Sequence, residues 1–205
     1  MSATNRVGGR RAAEGPSSER RTDLLRLAGE LFAEKGFRAT TVREIADAAG
    51  ILSGSLYHHF DSKESIGDEI LASFLNDVLD GYRGAVAGGG DPRAVIERIV
   101  RTSTDRLARH RAALTMLQND WNFFSGQPRF DYLHTAMREI ETIWITELER
   151  GKADGLFRAD LDAKLTYRLL RDILWLPIHW RGDGWSGEQV VLAFLRLVFD
   201  GITAR

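Results

Sequence analysis

Residues 40–63 read TTVREIADAAGILSGSLYHHFDSK and predict two short helices around a tight turn. Thr41 and Glu44 are three residues apart, which is the spacing of a capping box, so the first helix should begin directly after Thr41. Gly50 should end that helix, because glycine readily adopts the left-handed conformation found at helix C-termini. The second helix, about residues 52–59, is too short to be stable alone and must pack against the first.

The two sides of the second short helix differ in polarity. Leu56 and Phe60 are four residues apart and can anchor this helix to its neighbour. The outer face then carries small hydroxyls, a phenol and an imidazole, on Ser53, Ser55, Tyr57 and His58. Such side chains on an exposed helix suit a DNA groove better than plain solvent. We therefore predict a helix-turn-helix unit that reads DNA.

The composition restricts the class of protein. The 205 residues are 43% hydrophobic, which is enough for the core of one or two domains. No apolar run approaches the ~18 residues that a membrane span requires, and no signal peptide is predicted. The chain has no cysteine, so disulfides and thiolate chemistry are excluded, in agreement with a reducing compartment. We expect a cytoplasmic protein that associates with the nucleoid.

The N-terminal segment is basic. Residues 1–21 contain more arginines (Arg6, Arg10, Arg11, Arg20 and Arg21) than acids (Glu14 and Glu19). Residues 1–17 are also rich in glycine and serine, and we expect a disordered basic arm there. Two interpretations are open, namely an arm that contacts phosphates or a minor groove, and a solvated tail.

The rest of the chain has helical rather than strand periodicity, so we predict an all-α protein with nine helices. Besides the two short helices, the pattern predicts helices at about 19–35, 62–86, 92–109, 110–124, 129–153, 162–180 and 187–203. The glycines at 88–90 separate helices four and five, Pro177 should kink helix eight, and residues 186–189 match a second capping box. The predicted division is a DNA-binding unit at 18–64 and a ligand-binding and dimerisation domain at 65–205.

Helices eight and nine are apolar on more than one face. Such helices are either buried in the centre of a protein or shared with another molecule. In a chain of this size we expect sharing, and therefore a homodimer through helices eight and nine, with a monomeric core as the alternative. A dimer also suits a short recognition helix, because two half-sites supply contacts that one half-site lacks.

The helix-turn-helix stretch resembles a known family, the TetR/AcrR-type one-component regulators. The matching residues are Gly50, Gly54, Leu56, Tyr57, His59, Phe60, Lys63 and Glu64, preceded by Thr41, Ile45 and Ala46. This spacing is the N-terminal signature of that family, and nine helices in order are its fold. The resemblance therefore implies a TetR-like fold, with an N-terminal three-helix DNA-binding unit and a C-terminal helical domain for ligand binding and dimerisation.

The resemblance also implies which residues contact a palindromic operator, a site on double-stranded DNA. The matching positions on helices two and three and at the start of helix four are Thr41, Arg43, Ser53, Ser55, Tyr57, His58 and Lys63. Tyr57 and Lys63 would donate hydrogen bonds to phosphates, which fixes register. Ser53, Ser55 and His58 would face the base edges.

Three positions in this stretch have a second interpretation. Many family members carry serine or threonine where this chain has Leu52, and leucine cannot cap a helix, so Ser53 is the alternative cap. Tyr57 can instead pack half-buried. His59 lies beside Phe60 on the inner side and is not expected to contact a base.

A narrower resemblance is to the repressors of late steroid-ring (cholesterol C/D-ring) catabolism. It rests on residues 50–60, 127–130 and 155–162, and on Tyr167-Arg168 and Arg171-Asp172-x-x-Trp175 in helix eight. In that group the ligand is a coenzyme A thioester of a partly degraded steroid, and its binding releases DNA. The resemblance implies a similar effector for this chain.

The effector site is expected within residues 91–180, because the N-terminal unit is too small to hold one. Arg171 and Trp175 are four apart and share a helix face. Arginine pairs with phosphate, and an indole stacks on adenine or packs on an acyl group. The alternative is a surface arginine that covers a core tryptophan. Aromatic and apolar residues that can wall the site, or can be plain core, are Trp121, Phe123, Phe124, Met116, Leu117, Trp144 and Tyr132.

Enzymatic chemistry finds no support in the sequence. We find no nucleophile elbow, no phosphate-binding glycine loop and no His-Glu-x-x-His motif. His58 and His59 are adjacent, a spacing that does not direct both rings at one metal ion. We therefore expect a ligand-responsive repressor with no cofactor, released by an acyl-CoA effector. The alternatives are a regulator of efflux with a lipophilic effector, and a helical carrier or enzyme that retained a DNA-binding unit.

Overall fold

The computed structural model describes residues 16–175 and 184–203. Nine α-helices and one short 3-10 helix account for most of these residues. The helices are α1 (Pro16–Lys35), α2 (Val42–Ala48), α3 (Ser53–Leu56), α4 (Lys63–Ala87), α5 (Pro92–Arg109), α6 (Arg111–Phe124), the 3-10 helix (Pro128–Phe130), α7 (Tyr132–Ala153), α8 (Ala163–Trp175) and α9 (Gly187–Ile202). The prediction of an all-α, nine-helix fold is confirmed. The predicted arm, apart from its last two residues, and Pro177 lie outside the described residues.

The start of α2 has the predicted capping box. The Thr41 hydroxyl accepts a hydrogen bond from the Glu44 N–H at 3.2 Å, and the Glu44 carboxylate accepts one from the Thr41 N–H at 2.8 Å. Lys35 pairs with the same carboxylate at 2.7 Å. The hydrogen bond from Lys35, followed by those from Thr41, holds the pKa of Glu44 at about 2. The carboxylate therefore fixes the helix start at any ordinary pH.

The turn between α2 and α3 is also as predicted. Gly50 has a φ of 65°, and the N–H of Ile51 reaches back to the carbonyl of Ala46 at 3.0 Å. This is the hydrogen bond that closes a helix with a left-handed glycine. Only glycine adopts this conformation without strain, so the angle between α2 and α3 depends on it.

Helix α3 differs from its prediction. It spans Ser53–Leu56 and not about 52–59, because the chain tightens into turns after Leu56. These turns bring Phe60 into the core, where only 4% of it is exposed. Leu52 occupies the N-cap position without a side-chain hydrogen bond, and Ser53 is already helical. The expectation that Ser53 would cap the helix is therefore wrong.

The connection between α6 and α7 differs as well. Helix α7 begins at Tyr132 and not near 129, because Pro128 starts a separate 3-10 helix. That short helix buries Phe130 completely, with its ring 4.9 Å from Phe124. The turn is therefore a packed element of the core.

Phe37, in the loop after α1, joins the N-terminal helices to α6. Its ring is fully buried and lies 4.8 Å from Phe32 of α1, 4.8 Å from Phe124 of α6 and 5.4 Å from Phe123. The contacts with α6 have no signal in the sequence, because Phe37 and Phe124 are far apart along the chain. Gly67 of α4 completes the enclosure of the ring. The N-terminal helices and α6 therefore share one core.

Helix α5 organises the C-terminal part. It contacts α4, α7, α8 and α9, and α7 packs in turn on α4 and α8. The Asp91 carboxylate caps the first turn of α5 and accepts a hydrogen bond from the Ala94 N–H at 2.8 Å. The predicted capping box of α9, Ser186 with Gln189, is confirmed. Within residues 16–175 and 184–203, no helix is long and apolar enough to cross a membrane.

Two glycines on α4 test the tightness of the Phe37 enclosure. A Cβ at Gly67 would lie 2.8 Å from the Phe37 ring, whereas a Cβ at Gly84 would meet nothing within 4 Å. We expect Gly67→Ala to lower the free energy of unfolding by about 1–2 kcal/mol through overpacking. Gly84→Ala should raise it by about 0.5–1 kcal/mol. Urea denaturation at one fixed protein concentration measures both, and equal effects of the two changes would contradict the enclosure.

Candidate functional site

The surface formed by α2, α3 and the turn after α3 carries most of the predicted DNA contacts. Thr41, Arg43, Tyr57 and His58 are exposed, and Ser53 and Ser55 are partly exposed. The Arg43 side chain is 85% exposed and reaches only a distant ion pair with Asp47, at 3.8 Å. Tyr57 is 55% exposed, which does not favour its alternative as a packed residue. These side chains can approach a duplex without rearrangement of the fold.

Lys63 has a different environment from the one predicted. Its ammonium group donates to the carbonyl oxygens of Phe37, Arg38 and Thr40 at 2.9, 3.3 and 2.8 Å. It also lies 4.8 Å from the centroid of the Phe37 ring. An ammonium has three N–H donors, and all three are directed at the chain itself. This geometry makes Lys63 a brace for the loop that holds Phe37 and does not favour the predicted hydrogen bond to a phosphate.

Two arginines of the basic segment also have structural partners. Arg20 donates to the carbonyl of Ala49 at 2.8 Å, at the end of α2. Arg21 donates to the carbonyl of His59, pairs with Glu69 at 2.6 Å and lies over the Phe60 ring. They fasten α1 to the ends of α2 and α3. Their partners are 29 to 48 positions away along the chain, so helical spacing could not reveal them.

A second candidate site is a pocket between α4, α5, α7 and α8. Its lining is largely apolar and aromatic, and consists of Phe74, Leu75, Val78, Tyr82, Leu107, Met137, Ile140, Trp144, Arg171, Leu174 and Trp175. The enclosed cavity is about 10 Å³, room for about one water molecule. Arg171 is the one charged residue among these lining residues. A hydrophobic pocket with a single fixed charge is typical of a small-molecule site.

Arg171 is held at the pocket by its neighbours on α8. Its guanidinium lies 5.6 Å from the Trp175 ring and 5.7 Å from the Tyr167 ring. It also donates to the Asp172 carboxylate at 2.9 Å. About a third of the side chain remains exposed, so its charge can meet a ligand from solvent. The predicted pairing of Arg171 with Trp175 on one face is present.

Of the other predicted ligand residues, only Trp144 lines this pocket. Phe124 and Met116 are fully buried, Phe124 beside Phe37, and Trp121 packs edge-on to His134 at 5.6 Å. The structure therefore does not bring these three to the pocket. The aromatic residues of α6 serve the junction with the N-terminal helices instead, a role that an aromatic cluster does not distinguish from a pocket wall.

The remaining secondary candidates are also placed elsewhere. Phe123 packs on Phe37, Leu117 is buried in the core, and the Tyr132 hydroxyl donates to the carbonyl of Asp68 at 3.2 Å. Sequence reasoning missed the contribution of α4 to the pocket. Apolar residues recur every four positions along α4, but such a series is equally typical of a helix buried in the hydrophobic core.

Tyr82 places a polar group in the pocket wall. Its hydroxyl and the Ser103 hydroxyl are 2.6 Å apart, and Ser103 donates to the carbonyl of Ile99 at 2.7 Å. Burial raises the pKa of Tyr82 to about 12, so the phenol stays neutral. The Trp144 ring lies edge-on to Tyr82 at 6.4 Å. This hydrogen-bonded chain fixes one wall of the pocket.

Asp120 connects α6 to the loop after α1. Its carboxylate accepts a hydrogen bond from the N–H of Phe37 at 2.8 Å. Asp120 itself has non-helical backbone angles, φ −116° and ψ 22°, which mark a kink inside α6. The sequence offered no partner for Asp120 because Phe37 is 83 positions away. The kink and the hydrogen bond together hold the N-terminal unit against the C-terminal helices.

The chain resembles known regulatory proteins over both of its parts. A family model described as bacterial regulatory proteins of the tetR family matches residues 24–70, and a tetracyclin repressor-like C-terminal domain matches residues 89–202. The HTH-type transcriptional repressor KstR2 of Rhodococcus jostii is 47% identical over 189 residues, which cover 91% of this chain and 93% of that protein. The chain belongs to the TetR family.

Further relatives agree with this membership. KstR2 of Mycobacterium tuberculosis is 40% identical over 92% of this chain and 96% of that protein. The solved structure of that ketosteroid transcriptional regulator superposes with a TM-score of 0.88 over 96% of this chain and 100% of that one. AibR, solved with isovaleryl coenzyme A and operator DNA, shares the fold at 17% identity, with a TM-score of 0.74 over 88% of this chain and 98% of AibR.

Family membership settles the class of function. The chain is a transcriptional repressor of the TetR type, similar to the KstR2 repressors, and it is not an enzyme. TetR regulators bind operator DNA as dimers and respond to small-molecule effectors. The interpretation as a carrier or enzyme that retained a DNA-binding unit is therefore wrong.

Lys63 and Arg43 can be distinguished by the salt dependence of DNA binding. The logarithm of the binding constant falls with the logarithm of salt concentration, by about 0.9 for each phosphate contact. We expect Arg43→Ala to reduce this slope by about 0.9 per protomer. Lys63→Met should leave the slope unchanged and lower the free energy of unfolding by about 2 kcal/mol, because it removes hydrogen bonds from a charged donor.

Fluorescence anisotropy on duplex DNA at several salt concentrations, together with urea denaturation, measures both quantities. A reduced slope with unchanged stability for Lys63→Met would restore Lys63 as a phosphate contact.

Proposed function

We propose that this repressor dissociates from a palindromic operator when a coenzyme A thioester of a partly degraded steroid occupies the pocket between α4, α5, α7 and α8. The observation that carries the proposal is Arg171 beside Trp175 at an otherwise apolar lining. The similarity to KstR2 repressors, one of them described as a ketosteroid regulator, supports a steroid-derived acyl group. The AibR structure supports the compatibility of this fold with an acyl-CoA.

The pocket chemistry fits the two halves of such a ligand. The cavity itself is only about 10 Å³, room for about one water molecule, so an apolar ring system would enter only if α4, α7 and α8 moved apart. The acyl group would then pack against Phe74, Val78 and Trp144, and the coenzyme A part would extend outward. Arg171 can donate charge-assisted hydrogen bonds to a phosphate or carbonyl oxygen, and adenine can stack on the flat Trp175 indole.

Release of DNA would follow from a shift between two conformations. Helix α4 lines the pocket with Phe74, Val78 and Tyr82, and its first residue, Lys63, braces the loop of the DNA-binding unit. A ligand that favours one position of α4 would change the separation of the two recognition helices in a dimer. A ligand with equal affinity for both conformations would release nothing.

We assign the DNA contacts to Thr41, Arg43, Ser53, Ser55, Tyr57 and His58. The exposure of these residues on one surface supports the assignment. Residues 18–64 are then the DNA-binding unit, and residues 65–205 bind the effector and form the dimer. Because Phe37 and α6 share a core, the two units move as coupled bodies and not independently.

The second candidate is a TetR-type regulator of efflux with a lipophilic effector that lacks coenzyme A. The largely apolar lining favours it, and Arg171 already has a partner in Asp172. In that case Arg171 would only cover the aromatic rings beneath it. The two candidates therefore differ in whether the charge of Arg171 is needed.

Arg171→Ala separates the two candidates. We expect the variant to bind operator DNA normally but to need at least about 10-fold more steroid-ring coenzyme A thioester for release, since a charge-assisted contact is lost. The measurement is anisotropy of labelled operator during a titration with the thioester. Arg138→Ala, an exposed arginine on α7 outside the pocket lining, is the matched control. Unchanged release by Arg171→Ala would support the lipophilic effector.

We also propose that α8 and α9 form the dimer interface. Leu165, Leu169 and Ile173 make an exposed stripe at steps of four along α8. Leu192 and Leu197 are exposed on α9. Five large apolar side chains exposed on two neighbouring segments indicate a surface covered by another molecule. A two-fold axis would pair this surface with its own copy, as in most symmetric dimers.

Leu169→Lys tests this interface. Leu169 is 56% exposed, so the change should spare the fold but place a charge against its symmetry mate. We expect monomers in sedimentation at micromolar concentration and loss of operator binding. Leu52→Lys is the control. Leu52 is even more exposed than Leu169 but lies on the surface of α2 and α3, so this change should leave the dimer intact. A dimeric Leu169→Lys protein would exclude α8 from the interface.

A further inference from the structure

Leu52 is the most exposed large apolar side chain among the described residues. Its exposed fraction is 81%, against 66% for Leu197 and 56% for Leu169. The backbone of Leu52 is extended, with φ −71° and ψ 143°, and the residue directly precedes α3. The side chain therefore projects from the start of the recognition helix without packing against the fold.

Folding does not explain a leucine at this position. Serine, threonine, aspartate and asparagine are strongly preferred at the N-cap, and leucine is among the poorest choices. Thr41, Ser62, Asp91 and Ser186 follow this preference at α2, α4, α5 and α9, whereas His110 before α6 provides no side-chain cap. At Leu52 no side-chain hydrogen bond is made. A residue that breaks a local rule without gain to the fold points to a requirement outside it.

We infer that Leu52 contacts the 5-methyl group of a thymine in each operator half-site and sets a preference for thymine there. The inference rests on the proposal that the surface of α2 and α3 meets DNA. N-terminal residues of a recognition helix reach the base edges. The thymine methyl is the apolar group that the major groove displays, and apolar side chains read it.

The neighbours of Leu52 support this occupant. Arg43 and Tyr57 are exposed and polar, and suit phosphates on either side of the groove. Ser53 and Ser55 can hydrogen-bond to base edges but do not distinguish thymine by its methyl group. Leu52 is the apolar side chain of this surface that is free to do so. Its contact would add discrimination that the hydroxyls lack.

The size of the effect follows from one buried methyl group. Removing such a contact weakens binding about fourfold per half-site. When both half-sites of a palindrome are changed, the expected loss is about fifteenfold. The melting temperature should not fall in Leu52→Ser, because serine can cap α3.

The test combines a change in the protein with a change in the DNA. Wild-type protein first selects its preferred duplexes from a random pool. Each thymine of the selected operator is then replaced by deoxyuridine, which keeps the base pair and removes only the methyl group. We expect one thymine per half-site at which this replacement weakens wild-type binding about fourfold but leaves Leu52→Ala binding unchanged.

Leu156→Ala is the matched control, since Leu156 is partly exposed in the connector between α7 and α8. This variant should show the wild-type response to deoxyuridine at every position. The inference is overturned if the losses of affinity caused by Leu52→Ala and by deoxyuridine add independently at every thymine. It is also overturned if Leu52→Ala binds the operator as tightly as wild type. Failure of the wild-type protein to select any palindrome would instead overturn the proposed DNA-binding function.

Discussion

The enclosure of Phe37 is the contact on which the rest of the structure depends. The ring is surrounded by Phe32, Phe123 and Phe124, and its backbone N–H is bound by Asp120. Lys63 holds the carbonyl oxygens of the same loop. One residue after α1 thus fixes the N-terminal unit to α6 by packing and to α4 by hydrogen bonds. Helix α1 also packs on α4 and α6, and the Phe37 contact adds to this packing the ring contacts and hydrogen bonds that set the position of the DNA-binding surface.

Helix α4 gives that contact a functional meaning. Its N-terminus carries Lys63 and Gly67, which hold the Phe37 loop, and its middle carries Phe74, Val78 and Tyr82, which line the pocket. A rigid helix that borders both sites can convert pocket occupancy into a rotation of the DNA-binding unit. Because interiors are close-packed, such a rotation moves between discrete arrangements and is not absorbed locally.

Features set by residues close together along the chain could be predicted from the sequence. The capping box of Thr41 and Glu44, the glycine turn at Gly50 and the shared face of Arg171 and Trp175 all depend on residues three to six positions apart. Family signature residues added the fold and the class of function. Phe123 and Phe124 pack beside Phe37 and do not line the pocket, which the sequence could not show, because a residue pattern indicates that a side chain is apolar but not which cavity or core it fills.

Long-range partners were beyond the reach of the pattern. Lys63 was expected at phosphate, yet its acceptors are the carbonyl oxygens of Phe37, Arg38 and Thr40, 23 to 26 positions earlier. Backbone carbonyls carry no sequence signal, since every residue has one. The same holds for Asp120, whose donor is the backbone N–H of Phe37. Contacts of side chains with distant backbone are therefore the part that only the fold reveals.

We expect pocket occupancy to change the separation of the two recognition helices in the dimer. The chain has no cysteine, and a side chain at Gly54 meets nothing within 4 Å, so Gly54→Cys accepts one spin label per protomer cleanly. Pulsed dipolar spectroscopy on the labelled dimer, without DNA, measures the label separation directly. We predict that a steroid-ring coenzyme A thioester, but not free coenzyme A, shifts this distance away from the ~34 Å repeat of successive major grooves. An identical distance distribution with and without saturating thioester would contradict the account.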